Sequence, residues 1–224
     1  MQERHSRTIK LIGREAMEKL ANASVLIIGI GGVGSFAAEA IARSGVGRIA
    51  LMDGDDVSES NLNRQLVALK STLGKNKAKV MADRIRDIDS NIEVESLPRF
   101  YKSGDKIDLT RFDWIIDAID SVDAKTDLIV RANELGVNIV SSMGAAGKLG
   151  TKFIQEDISK TTVCPLAKIM RKKLREKGIE SLPVVFSDEK PIAMEGQLGT
   201  ISYVPPSAGL EIAGYVIRQI IAKQ

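Results

Sequence analysis

The 224-residue chain has one cysteine, Cys164, and one histidine, His5. A single thiol excludes an intrachain disulfide, and with it a zinc site built on paired thiolates. The histidine reads as a surface residue, and no histidine- or tyrosine-based catalytic dyad stands out. Long apolar runs are missing too. The longest, VLIIGIGGVG, is too short and too glycine-rich to span a bilayer. The start, MQERHSRTIK, is polar and charged and lacks the apolar segment of a signal peptide. No internal repeat or low-complexity tract occurs. These absences predict a reducing, cytoplasmic setting without membrane association.

What remains is an ordinary globular composition, 44% hydrophobic and 27% charged. The length suits one well-cored domain. A net charge of +3 permits an anionic partner without requiring one, so the placement of the charges has to decide.

Residues 24–29, 48–53, 92–97, 113–119 and 137–142 read as strands, and 33–47, 75–89 and 122–136 as helices between them. In the helix over 75–89, Val80, Met81, Ile85 and Ile88 form the apolar side. The alternation predicts an α/β fold with a doubly wound, mostly parallel sheet of Rossmann-like type. Ligands of such sheets bind at the carboxyl ends of the strands. After about residue 150 the pattern changes. Segments 150–157 and 199–206 read as two strands around a basic helix and a Pro- and Glu-containing loop, and 207–223 reads as a closing amphipathic helix. One domain is expected, with residues 1–150 as an ATP-binding half and 151–224 as a C-terminal extension of strands and helices.

GIGGVG places Gly29, Gly31 and Gly34 in the G-x-G-x-x-G spacing at a strand-to-helix junction. Such a turn brings backbone and a helix N-terminus close to a phosphate. The motif alone does not separate NAD, FAD and ATP. Asp53 follows about 20 residues on, where an acid accepts hydrogen bonds from ribose hydroxyls. Asp55, Asp56 and Glu59 read as turn residues.

The stretch NLNRQ raises a further question, because Asp53 already serves the ribose. Arg64 is a planar fork suited to phosphate oxygens, and GKNK adds Lys75 and Lys77 at a helix entrance. Together they suggest a triphosphate whose charge is stabilised during transfer, with Asn61 and Gln65 orienting these groups. DWIIDAIDS ends a strand with Asp117 and Asp120. Asp120 is the candidate magnesium ligand beside a polyphosphate; Asp117 reads as capping or structural. Arg64, Lys75 or Lys77 taken singly reads better as a solvated surface charge; only together do they point to the phosphates.

In this order GIGGVG, LMDGDDVSESNLNRQ, GKNK and DAIDS resemble the ubiquitin-activating-enzyme-like (HesA/MoeB/ThiF) adenylyltransferase family, over about residues 4–150. The resemblance implies that Asp53 binds ribose and that Arg64 and Lys77 bind ATP phosphates. It further implies that Asp120 holds Mg²⁺ and that Asn61 and Gln65 line the same pocket. Members activate a carboxylate by joining it to AMP, with little covalent chemistry asked of side chains. An arginine from the first segment reaches the partner subunit's phosphates in that family, so Arg7 is a candidate to act across a homodimer; Arg4 is the weaker one.

The sulfur-carrier enzymes of the family commonly carry two C-x-x-C zinc pairs, which are missing here, so no zinc is expected. Cys164 reads as a buried or capping thiol, a thioester role being the alternative. In CPLAKIMRKKLREKG, Lys168, Arg171, Lys172 and Arg175 recur at helical spacing as one basic face, with Leu166, Ile169, Met170 and Leu174 opposite. The face reads as a nucleic-acid contact or as a plain solvated one. The zinc-free layout with this basic insertion resembles the tRNA threonylcarbamoyladenosine dehydratases. That resemblance implies ATP-dependent dehydration of a modified adenosine beside the anticodon, through adenylation of its threonyl carboxylate, with tRNA as partner. An adenylyltransferase acting on a ubiquitin-like sulfur carrier is the alternative. An NAD-dependent oxidoreductase leaves Arg64, Lys77 and Asp120 unexplained. A monovalent cation and a sulfur-trafficking protein partner stay open.

Overall fold

The structure is a computed structural model and describes residues 3–222. Helix α1 (Ser6–Asn22) leads into strand β1 (Ser24–Ile28), and α2 (Gly34–Arg43) and β2 (Arg48–Met52) follow. Next come α3 (Lys77–Ile88), β3 (Glu93–Leu97), β4 (Trp114–Asp117), α4 (Val122–Glu134) and β5 (Asn138–Ser142). The chain ends with β6 (Ile154–Asp157), α5 (Pro165–Glu176), β7 (Pro183–Phe186), the short strands β8 (Ala193–Met194) and β9 (Gln197–Leu198), and α6 (Val204–Ala222).

β1 and β4 are short, mostly apolar runs, and with β5 (NIVSS) they are buried on both faces, the pattern of central parallel strands. The seven-stranded sheet has the order β3-β2-β1-β4-β5-β7-β6, parallel except for β6, which pairs antiparallel with β7. The expected doubly wound α/β sheet is therefore present. Two apolar layers cover it: α1, α2, α3 and α6 pack on one face, α4 and α5 on the other. The strand order reverses between β1 and β4, and the crevice outside their carboxyl ends is where such sheets bind ligands.

Three readings need correction. Residues 199–206 are not a strand: after a turn, α6 begins at Val204, with Pro205 and Pro206 in its first turn, where a missing N–H removes no helical bond. The sheet partner in that region is instead β7, inside the segment read as a loop. In α5, Ile169 does not join the apolar side; it is 47% exposed, and Ala167, Met170 and Leu174 make the contact. His5 is not a free surface residue, because its ring lies 3.6 Å from Asp89 and is largely covered. The predicted closing helix reaches Lys223, which lies outside the described residues. α1 is two helices joined across Gly13, whose φ of 84° and ψ of 171° are not helical.

Candidate active site

A cleft of about 810 Å³ opens at the crevice between β1 and β4. That is within the range of small-molecule sites. Its floor is the glycine turn. Gly29 has φ 89°, and a Cβ there would stand 2.5 Å from the Ala118 carbonyl oxygen, so the turn and the loop after β4 touch backbone to backbone. A Cβ on Gly34 would lie 1.7 Å from the Gly29 carbonyl oxygen; only glycine allows the helix to start so close to the strand. Gly31 differs. The nearest atom to its Cβ position is the Gln65 side-chain nitrogen at 3.7 Å, so this glycine leaves its backbone open to the cleft.

Asp53 follows the end of β2 and stitches this edge together. It accepts from the Ile30 amide (2.6 Å) and the Asp55 amide (2.8 Å), one through each carboxylate oxygen. Burial pushes its carboxyl above the ordinary range, against those two bonds and the Lys77 charge. Lys77, the first residue of α3, is buried and pairs with Asp55 at 2.9 Å. Asn76 fixes that geometry: its side-chain nitrogen donates to the Asp53 and Asp55 carbonyls, and its oxygen caps α3 by accepting from the Lys79 amide.

Asn61, Arg64 and Gln65 also line the cleft. Asn61 braces its own turn by accepting from the Ser58 amide at 3.1 Å. Arg64 donates through one nitrogen to the Ser60 carbonyl (3.0 Å) and the Asn63 side-chain oxygen (2.8 Å), and among the described residues its other N–H groups have no partner. The Gln65 side-chain oxygen is buried with no partner among the described residues. A buried acceptor without a donor is costly, and here it belongs to a residue that lines a cleft with room for a ligand. Asp120 sits in the loop after β4, exposed and lining the same cleft. Among the described residues no group of three or more His, Cys, Asp or Glu side chains forms a metal site. A magnesium ion bridging phosphates takes only one or two carboxylates, and a lone Asp120 fits that requirement.

Thus Gly29, Gly31, Asp53, Asn61, Arg64, Gln65, Lys77 and Asp120 line one cleft, with Gly34 starting the helix beneath it. Lys75 is exposed and does not line it. Arg7 is exposed on α1 and is absent from the lining; one copy of the chain does not bring it to the cleft. Arg4 is committed elsewhere, to Asp89 (2.8 Å) and the Ile88 carbonyl (2.9 Å) at the far end of α3.

In α5, Lys168, Lys172 and Arg175 are exposed. Arg171 is not part of a free face: one guanidinium nitrogen donates to the Thr161 carbonyl and hydroxyl oxygens, both at 2.7 Å. Cys164 is buried, 2% exposed, at the cap position of the same helix.

Sequence reasoning missed Phe100–Ser103 after β3, Ala145 and Ala146 after β5, and Thr200 and Pro205, all of which line the cleft. The signal was available for the first two groups, because both follow carboxyl ends of parallel strands. It also passed over Lys125, which lies in the helix read over 122–136 and is fully buried.

A ThiF family model matches residues 4–222, and the chain belongs to that family. It is similar to the tRNA threonylcarbamoyladenosine dehydratase of Bacillus subtilis (strain 168), at 41% identity over 99% of this chain and 96% of that protein. The enzyme of the same name from Escherichia coli (strain K12) is 38% identical over 84% of this chain and 74% of that protein. The crystal structure of E. coli TcdA in complex with ATP superposes with a TM-score of 0.91 at 34% identity, covering 98% of this chain and 94% of that one. Among the described residues no helix is long and apolar enough to cross a membrane.

Proposed function

We propose that this chain is an ATP-dependent tRNA threonylcarbamoyladenosine dehydratase. The observation that carries the reading is the convergence of the glycine turn, Asp53, Arg64, Lys77 and Asp120 on one cleft, in a chain similar over nearly its full length to enzymes of that name. ATP is the cosubstrate. The Gly29–Gly34 turn and the start of α2 receive its phosphates, Asp53 accepts from the ribose hydroxyls, and Gln65 offers its free oxygen to a donor of the nucleotide. Arg64 and Lys77 stabilise charge that develops as the threonyl carboxylate attacks the α-phosphate and pyrophosphate leaves. Magnesium held by Asp120 would neutralise phosphate charge and orient the leaving group. The carbamoyl group next to the activated carboxyl then displaces AMP and closes a ring. Net, the tRNA loses one water.

Lys168, Lys172 and Arg175 supply contacts to tRNA phosphates; Arg171 supports the helix and not the contact. Arg7 serves the cleft of a second copy, which makes the working enzyme a homodimer. Residues 1–150 act as the ATP-binding half of one domain and 151–224 as its substrate-side half. In the sulfur-carrier alternative a thioester step needs a reachable thiol, and burial of Cys164 disfavours that step.

The test is incubation of the purified protein with ATP, Mg²⁺ and tRNA bearing threonylcarbamoyladenosine, followed by nucleoside mass spectrometry. Loss of one water from that nucleoside with stoichiometric AMP is expected. Unchanged nucleoside with AMP still formed on a protein carboxylate would move the assignment to the carrier reading.

A further inference from the structure

Beneath the loop that carries Asp120 lies an ion pair with no exposure to solvent: Lys125 and Asp117, 2.8 Å apart, both side chains 0% exposed. The ammonium of Lys125 has a partner for each of its three N–H bonds, namely Asp117 Oδ2, the Ser141 hydroxyl (3.0 Å) and the Ser142 carbonyl (3.0 Å). Ser141 in turn donates to Asp117 Oδ2 at 2.7 Å, and Asp117 Oδ1 accepts from the Ile119 amide at 3.1 Å. The network therefore joins the carboxyl ends of β4 and β5 to the first turn of α4. It closes around residues 118–121, whose Ala118 carbonyl presses on Gly29.

Stability alone does not account for such a pair. Taking two charges fully out of water costs about as much as their attraction returns, and apolar replacements of similar volume are often neutral or stabilising. What the pair does supply is geometry, since each N–H and O–H in it has an acceptor and Asp117 Oδ2 gathers both Lys125 and Ser141.

We infer that Lys125 and Asp117 are positioning residues for the reaction: they hold the 118–121 loop so that the Asp120 carboxylate meets a magnesium-bound triphosphate lying against the Gly29 turn. This rests on the proposed metal role of Asp120. Lys125 touches neither ATP nor tRNA, and it acts through the loop.

The test removes both charges while keeping the acceptor for Ile119, in Asp117→Asn/Lys125→Met, with Lys125→Met beside it. Folding is checked by circular dichroism and thermal melting. ATP affinity is measured by calorimetry without magnesium and along a magnesium titration, and turnover is measured on tRNA. The single variant strands a buried carboxylate and is expected to melt lower. The double variant is expected to fold and to bind ATP without magnesium within about threefold of the parent. Its half-saturating magnesium should rise about tenfold and its kcat fall roughly 10- to 100-fold at unchanged KM for tRNA, the range for lost outer-sphere support. A folded double variant with the parent's magnesium requirement and kcat overturns the inference. Asp120→Ala separates the two layers. If it leaves the magnesium dependence of ATP binding unchanged, the metal assignment falls and the inference with it. If it shifts that dependence and the double variant does not, the positioning role alone falls.

Discussion

Arg64 and Lys77 and the cations of α5 are the same residue types put to opposite uses. Lys77 is buried at a helix start, pinned by a chain of backbone and Asn76 hydrogen bonds, and Arg64 is half-buried and braced by Asn63. Both turn into a concave site, where little water screens a phosphate. Lys168, Lys172 and Arg175 stand on a convex helix surface with solvent around them. Charges so placed would act on a large polyanion only by releasing its counterions, weakly per residue and in a salt-dependent way. Arg171 lies between the cases, its spacing that of the exposed face but its guanidinium spent on Thr161. Position on a helical wheel therefore separates inside from outside, and only the hydrogen-bond partners separate a free cation from a structural one.

The contrast has consequences of decreasing size. Lys77→Ala should lower kcat about 10²- to 10³-fold, as loss of a transition-state charge stabiliser does, in single-turnover assays of AMP formation. A loss under tenfold would put Lys77 with the surface charges. Replacing Lys168, Lys172 and Arg175 together by Glu should weaken tRNA binding by at least about tenfold at low salt, flatten its salt dependence and leave ATP affinity alone. Unchanged tRNA affinity in a filter-binding titration would return α5 to an ordinary solvated face. Arg171→Ala should cost roughly 1–3 kcal/mol of stability by leaving the Thr161 oxygens without their donor, while changing tRNA affinity less than about twofold. A denaturant melt beside the binding assay tests this, and a large affinity loss without destabilisation would place Arg171 on the free face after all. The smallest effect belongs to Cys164→Ser, expected to melt slightly lower and to keep full turnover; a folded but inactive variant would revive the thioester reading.

Much of this was legible before any coordinates, for physical reasons. β1, β2 and β4 are continuous apolar runs that only a covered parallel strand accommodates, and the glycine spacing fixes a turn whose backbone contacts tolerate no Cβ. Asp53 and Asp120 were readable because each follows the end of one of those strands, Lys77 because it opens a helix, and Arg64 by its place in NLNRQ. The failures share a different origin. In 199–206 the β-branched and aromatic residues suggested a strand, while the pair Pro205–Pro206 marked a helix start. β7 has four residues beginning at Pro183, too short for periodicity to register. Lys125 shares the i, i+3, i+4, i+7 face of Leu128, Ile129 and Ala132, so its burial was legible; what no local spacing encodes is that Asp117, Ser141 and Ser142 reach it from β4 and β5.

Gly13 carries a last consequence. Nothing lies within 4 Å of where its Cβ would be, yet its φ and ψ fall in a region open essentially to glycine alone. Any side chain would fit the space, and almost none would fit the torsion. The first seven residues of α1, Arg7 among them, thus take their direction from one dihedral pair at this end and from the Arg4 and His5 contacts to Asp89 at the other. They form a short outrigger moored at both ends. A single methyl group at position 13, costing about 1–3 kcal/mol in backbone strain, would set that direction against the Asp89 mooring at one end and the packing of Ile12 on the core at the other.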